Sequence, residues 1–340
     1  MLDRLKRAFE QSVALYRIGL GEDLAKPVQL LLVESAGLRA SVGTSSGGQQ
    51  ALEVGTGTLR LIDVFVTKLL PSPLWTESRG PPLDEGSDRM AYLEALRDLS
   101  LQWLILHELM HLRLEHPALV GTAMLVEVEG GDQHVAEPPR VTDLLRDLSP
   151  EHRSRMRPCL ELQADCDATD VLCGPYRAAN WTDLRLKAAA IMVMMVLIEK
   201  QNAHARVKGI SHPKASTRLF QLMGQLTQFW LMEHAFVETR ETGSFITSDA
   251  SKGPGLFERY KREVITPAGL DAVVIAGAAG LREAVAEISD SEGLFADIMT
   301  AQQNVPIRPE MMKTTGARQW TELLSANEAI MMATQQRQWG

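Results

Sequence analysis

His107, Glu108 and His111 stand in the run LQWLILHELMHLRLEH, residues 101 to 116. On a helix, residues four apart share a face, so both imidazoles can point at one ion. Glu108 falls about 100° around the helix from His107, where its carboxylate reaches a water on that ion without being a ligand. Two imidazoles that hold zinc and a carboxylate that takes a proton from water are the chemistry of the HExxH pattern. The bland alternative is a pair of core histidines bonded to backbone carbonyls. His116 is close by, but HELMHLRLEHP lacks the glycine turn and the wider spacing that would make it a third ligand.

A catalytic zinc needs a third protein ligand and an open fourth position. LELQADCDATD supplies Glu161 and Asp165 at i and i+4 on a second helix. One carboxylate can bind metal while the other accepts a hydrogen bond from the far nitrogen of a ligand histidine, fixing its ring and tautomer. Acidic residues at this spacing are commonly a solvated face, but the flanks in CLELQADC are too apolar for full exposure. The three cysteines, Cys159, Cys166 and Cys173, recur every seven residues. Their stripe points away from the Glu161–Asp165 direction, and they read as small buried hydrophobes. SHPKASTRLFQL adds His212, Pro213 and Arg218; taken alone, His-Pro marks a helix start, because proline suits the first turn. Tyr176 could donate to a tetrahedral intermediate, although a tyrosine after a helix end more commonly packs.

HExxH followed by ExxAD resembles the zinc metallopeptidases with a glutamate ligand, the gluzincins. The order of motifs is similar to that of the family of CAAX prenyl proteases and HtpX-type proteases, in which a His-Pro with an arginine five residues beyond the proline comes third. His212, Pro213 and Arg218 keep that order and spacing. The matched region covers roughly residues 100 to 220. The resemblance implies His107, His111 and Glu161 as zinc ligands, Glu108 as general base and Asp165 as the residue behind a ligand. It implies His212 as an electrophile or oxyanion stabiliser, with Arg218 structural or pairing a carboxylate. The flank HELMHLRLEH also resembles soluble HExxH proteases of the phage-exclusion group and of the group that cleaves transcriptional repressors. The membrane-embedded members of the first family carry long transmembrane helices that have no counterpart in this sequence.

These residues need a scaffold. MLDRLKRAFEQSVALYRIGL reads as an amphipathic helix, and VQLLLVES, residues 28 to 35, as a strand. ASVGTSSGGQQ reads as a flexible loop from its Gly and Ser content. A short strand then turns at Gly55 to Gly57 into a helix. In zincins the substrate pairs with an edge strand beside the HExxH helix, and ALEV, residues 51 to 54, is the strand nominated for it. PSPLWTESRGPPLDEGSD is a long connection of the kind found beside clefts. Helical pattern runs from Arg89, with a break near Ser100, to a stop at Pro117, and again from Ser154 to Cys173. AAAIMVMMVLI, residues 188 to 198, is too short for a bilayer span of about 20 residues and is assigned to a buried helix. A linker follows at about residue 240. The expected fold is α+β, predominantly helical: a zincin-like metallopeptidase core over residues 1–240, with a small sheet and an active-site helix, and a helical C-terminal extension over 255–340.

The net charge of −8, from 35 basic and 43 acidic residues, argues against nucleic acid or an anionic membrane as the main partner. The N-terminal helix lacks a signal peptide's apolar core and cleavage site. With three cysteines in no CxxC pair or even framework, the cytoplasm is the expected location. The reading is a zinc-dependent endopeptidase acting on a protein or peptide substrate, with room for a regulatory partner or activator. The competing readings are a regulatory or binding protein with a non-catalytic metal site and a zinc hydrolase of a small amide. Structural zinc usually takes four protein ligands rich in cysteine, whereas three are evident here.

Overall fold

The computed structural model describes residues 1–44, 49–69, 87–120, 148–174, 180–204, 212–242, 254–303 and 306–338. Tyr176, the body of the proline-rich connection and most of the linker after residue 240 lie outside the described residues.

The fold is α+β and predominantly helical, with one three-stranded sheet. Helix α1 (Leu2–Leu20) stops at Gly21, whose φ of 70° lets its N–H close on Arg17 O. The strands are β1 (Val28–Val33), β2 (Ala40–Thr44) and β3 (Gln50–Gly55). Helix α2 (Thr56–Leu69) leaves the sheet directly, and α3 (Ser87–Arg113) carries the HExxH residues. Two short helices, α4 (His116–Val120) and α5 (Pro150–Ser154), precede α6 (Met156–Cys173), which carries Glu161 and Asp165. Then come α7 (Trp181–His204), α8 (Ala215–Thr242), α9 (Pro254–Tyr260), α10 (Thr266–Ala279), α11 (Arg282–Ser289), α12 (Ser291–Ala301) and α13 (Thr315–Gln338).

The sheet order is β1-β3-β2: β1 runs parallel to β3 (Val28 opposite Gln50) and β2 antiparallel to it (Ala40 opposite Val54). Two sequence expectations are corrected here. Residues 40 to 44 are a strand and not a loop. Their small side chains and Gly43 look like turn chemistry, but Ala40 and Val42 are buried, and pairing to β3 with packing on α3 overrides local preference. Consequently Ala51–Val54 belongs to the central strand, and the edge beside the HExxH helix is β2. The tight turn from β3 into α2 depends on Gly57, where a Cβ would strike the Gly37 carbonyl.

Helix α3 also runs unbroken through Ser100, because that side chain turns inward. Its Oγ donates to Leu96 O within the helix and lies 3.1 Å from Ala190 O of α7. Residues 188 to 198 are buried all round, which explains an apolar run with no polar face. Among the described residues, no helix is long and apolar enough to cross a membrane. The main hydrophobic cluster joins Leu52 and Val54 of the sheet, Trp103 of α3 and Met194 of α7 to Val264 and Ile275 beyond the linker. A second cluster ties Met156, Cys159 and Leu160 of α6 to Leu323 and Ile330 of α13.

Candidate metal centre

Helices α3 and α6 lie side by side, so the inward stripes of both meet. His107 and His111 project from α3, and Glu161 from α6; all three are buried, with ligand atoms within 4.8 Å of one another. The two Nε2 atoms stand 3.1 Å apart. Glu161 approaches them with Oε2 at 3.4 Å from His107 Nε2 and Oε1 at 3.6 Å from His111 Nε2. His212, which precedes α8, brings its Nε2 to 3.4 Å from Glu161 Oε2. The structure thus gathers His107, Glu108, His111, Glu161, Asp165, His212 and Arg218 into one buried locality drawn from three helices and the segment before the third.

Each ligand-type histidine is held from behind. His107 Nδ1 lies 2.9 Å from Asp165 Oδ1, off the line of a well-formed hydrogen bond but close enough to favour a proton on that nitrogen. Arg218 grips the same carboxylate with Nε at 2.6 Å and Nη2 at 2.5 Å, a bidentate fork. Burial alone would raise the Asp165 pKa; the Arg218 guanidinium and His107 outweigh it and hold the carboxyl below its usual range. Trp103 packs on the His107 ring at 5.4 Å between centroids and donates from its indole to Thr169 Oγ1.

His111 is held by a longer chain. Its Nδ1 is 2.7 Å from His116 Nδ1, and His116 Nε2 is 2.9 Å from Gln163 Oε1. Gln163 in turn donates from Nε2 to Asn327 Oδ1 of α13 at 2.6 Å. An amide oxygen only accepts, so His116 Nε2 carries a proton. Burial pushes the His116 pKa down to about 4, against the Gln163 hydrogen bond, so the ring is neutral and its Nδ1 accepts. The His111 Nδ1 is then the donor, and the lone pair of its Nε2 faces His107 and Glu161. His116 returns to this position because the chain reverses at Glu115, a non-glycine residue with φ of 54°.

The electrostatics fit a cation. Burial lowers the basicity of His107, yet Asp165 and Glu161 together push its pKa up to about 10. His111 is held well below its usual value, by burial first and by its neighbour His107 second. Burial would raise Glu161, but His212, His107 and His111 draw it well below the carboxylate range. Glu161 Oε2 is a buried acceptor with no hydrogen bond among the described residues, although three nitrogens surround it at 3.4 to 3.8 Å. A Glu161 carboxylate with one oxygen lacking a hydrogen bond, set against the His107 and His111 nitrogens, makes a donor set able to hold a metal ion. Beside it, burial pushes Glu108 up to about 7, with His107, Arg218 and the Val42 backbone N–H of β2 opposing. The cysteines stay apart from the cluster as free thiols; burial pushes Cys159 and Cys173 up to about 12.

A predominantly helical α+β chain organised around one buried His-His-Glu cluster, with a further carboxylate beside it, is built around a centre able to hold a metal ion. Residues 66–238, more than half of the chain and inclusive of all three motifs, match the family model of peptidase U49. The chain belongs to that family, which makes it a peptidase by descent and proteins or peptides its class of substrate. No curated protein and no solved structure shows significant similarity to it.

The spacing that argues against His116 as a ligand carries no sign of its place behind His111. Gln163 and Asn327 carried no signal at all, since their partnership spans 164 residues.

Proposed function

We propose that this peptidase is a zinc-dependent endopeptidase of the gluzincin type. The observation that supports it most is the convergence of His107 Nε2, His111 Nε2 and the Glu161 carboxylate, whose Oε2 has no hydrogen bond among the described residues, with Glu108 between the two histidines on α3. His107, His111 and Glu161 would hold the zinc ion, which when bound would supply Lewis acidity and bring the pKa of water towards ~7. Glu108 takes the proton of the attacking water and passes it to the leaving amine. Its desolvated carboxyl, pushed up to about 7, suits a group that must both accept and return a proton near neutrality. The Val42 backbone N–H favours its charged form and ties its position to β2.

Asp165 and Arg218 orient His107, and His116 orients His111; a bound cation would displace the proton that Asp165 and Glu161 favour on His107, leaving its Nε2 free to act as a ligand. His212 would donate to the oxyanion, a role supported by its Nε2 lying 3.4 Å from Glu161 Oε2. The substrate backbone is expected to add to β2, the edge strand next to Glu108.

The test compares wild type with Glu108→Gln by mapping new N-termini in a proteome extract. Wild type should generate cleavages that a chelator abolishes, and Glu108→Gln should retain zinc but lose cleavage by about 10²-fold or more. Full activity in that variant would exclude the base assignment. Zinc retention without cleavage by wild type would instead favour a non-catalytic metal site.

A further inference from the structure

A cavity of about 810 Å³ opens on the side of α6 turned away from Glu161, between the end of α3 and helices α8, α12 and α13. None of His107, Glu108, His111, Glu161 and His212 lines it. It does contain His116, Gln163 and Asn327, the three residues that hold His111 from behind. Its size lies in the range of pockets that take a small molecule or a few peptide residues.

The lining chemistry narrows the occupant. Phe220, Leu162, Trp320 and Leu323 give it an apolar floor. The rim carries Glu22, Glu115 and Asp167 against one cation, Arg113, which is already shared between Glu22 at 2.9 Å and Asp167 at 3.1 Å. Glu115 is exposed and has no ion pair among the described residues. Two side-chain amides present acceptors. Gln225 spends its Nε2 on Cys166 O and Asp170, and Gln302 spends its Nε2 on Thr227, which leaves both Oε1 atoms without a donor among the described residues. Amide carbonyls suit successive backbone N–H groups, and the acidic rim suits Lys or Arg.

We propose that this cavity is a second binding site, for a short apolar peptide segment bearing Lys or Arg, and that its occupancy steadies His111 through His116, Gln163 and Asn327. The coupling half rests on the metal reading above; the binding half does not. Gln163 and Asn327 are only half-buried, so water competes for their hydrogen bonds. A bound segment excludes that water and strengthens the chain that keeps the His111 Nε2 lone pair facing the ion.

The test uses the full chain with two probes, acetyl-Leu-Lys-Leu-Arg-Leu-amide and its acidic counterpart with Glu at both charged positions. Binding is followed by tryptophan fluorescence, since Trp320 lines the site, and by calorimetry. Coupling is followed by the rate at which zinc passes to a chelator. The basic peptide should bind saturably and about tenfold more tightly than the acidic one. It should slow zinc release by about fivefold. Ala301→Trp, which fills the cavity, should abolish binding, and Glu115→Lys, on the exposed rim, should weaken the basic peptide alone. At saturating basic peptide, Asn327→Leu, which cuts the hydrogen-bond chain to His116, should lose the effect on zinc release. Equal binding of both peptides, or binding indifferent to Ala301→Trp, would overturn the site. Binding with unchanged zinc release would overturn the coupling. A protein that takes up no zinc yet binds the basic peptide would refute the metal reading and the coupling while sustaining the second site.

Discussion

At the scale of single residues, the pairing of Arg218 with Asp165 is the interaction on which the His107 side of the centre depends. Both side chains are fully buried, and the fork is made with two short bonds. Truncating one partner leaves a charge in a dry interior, which costs on the order of 3–5 kcal/mol. Arg218→Met should therefore lower unfolding stability by about that amount in chemical denaturation, and it should weaken zinc binding by about 10–100-fold through the loosened His107 ring. A variant of wild-type stability and zinc affinity would show that Asp165 needs no partner. The sequence made this pair partly readable. The spacing of Glu161 to Asp165 and the arginine after His-Pro drew attention to the right side chains, because helical geometry converts spacing into direction. It could not announce His116, whose position depends on a left-handed residue at Glu115 that no propensity favours.

At the scale of elements, α6 serves two faces with different electrical demands. Its inner stripe carries Glu161 and Asp165, both held ionised by cations around them. Asp170, further along, lacks such support: burial, and the charge of Asp167, push its pKa up to about 6 despite a hydrogen bond from Gln225. The folded pKa exceeds the unfolded one, so the ionised carboxylate opposes folding. That opposition is absent below about pH 4, where both states are protonated, and complete above the folded value. Asp170→Asn should raise stability by about 1 kcal/mol at pH 7.5 and leave it unchanged at pH 4, after discount for partial exposure. Denaturation at the two pH values checks this; a gain that is equal at both would assign the effect to packing. The helices were legible at this scale through apolar periodicity and proline or glycine stops. Strand β2 was not, because its small residues gain their order from β3 and α3 and not from local preference.

At the scale of the whole molecule, the C-terminal helices are not spectators of the centre. Helix α13 lies along α8 and α6, and Asn327 ends the chain of hydrogen bonds that begins at His111. A metal that binds the folded chain and not the unfolded one stabilises the entire fold by mass action, about 4 kcal/mol at a thousandfold excess over Kd. Chelation should thus lower the melting temperature, and zinc should restore it. An unchanged melting temperature would place the cluster outside metal chemistry. The remote partnership was unreadable from sequence, since amides such as Gln163 and Asn327 are ordinary helix-surface residues until the fold joins them.

The measurement that bears most directly on the central claim is elemental analysis of the purified, cleavage-competent protein. One zinc per chain is expected in wild type and in Glu108→Gln, and none in His111→Ala or Glu161→Gln. A wild-type protein that cleaves its substrate while carrying no metal would contradict the account.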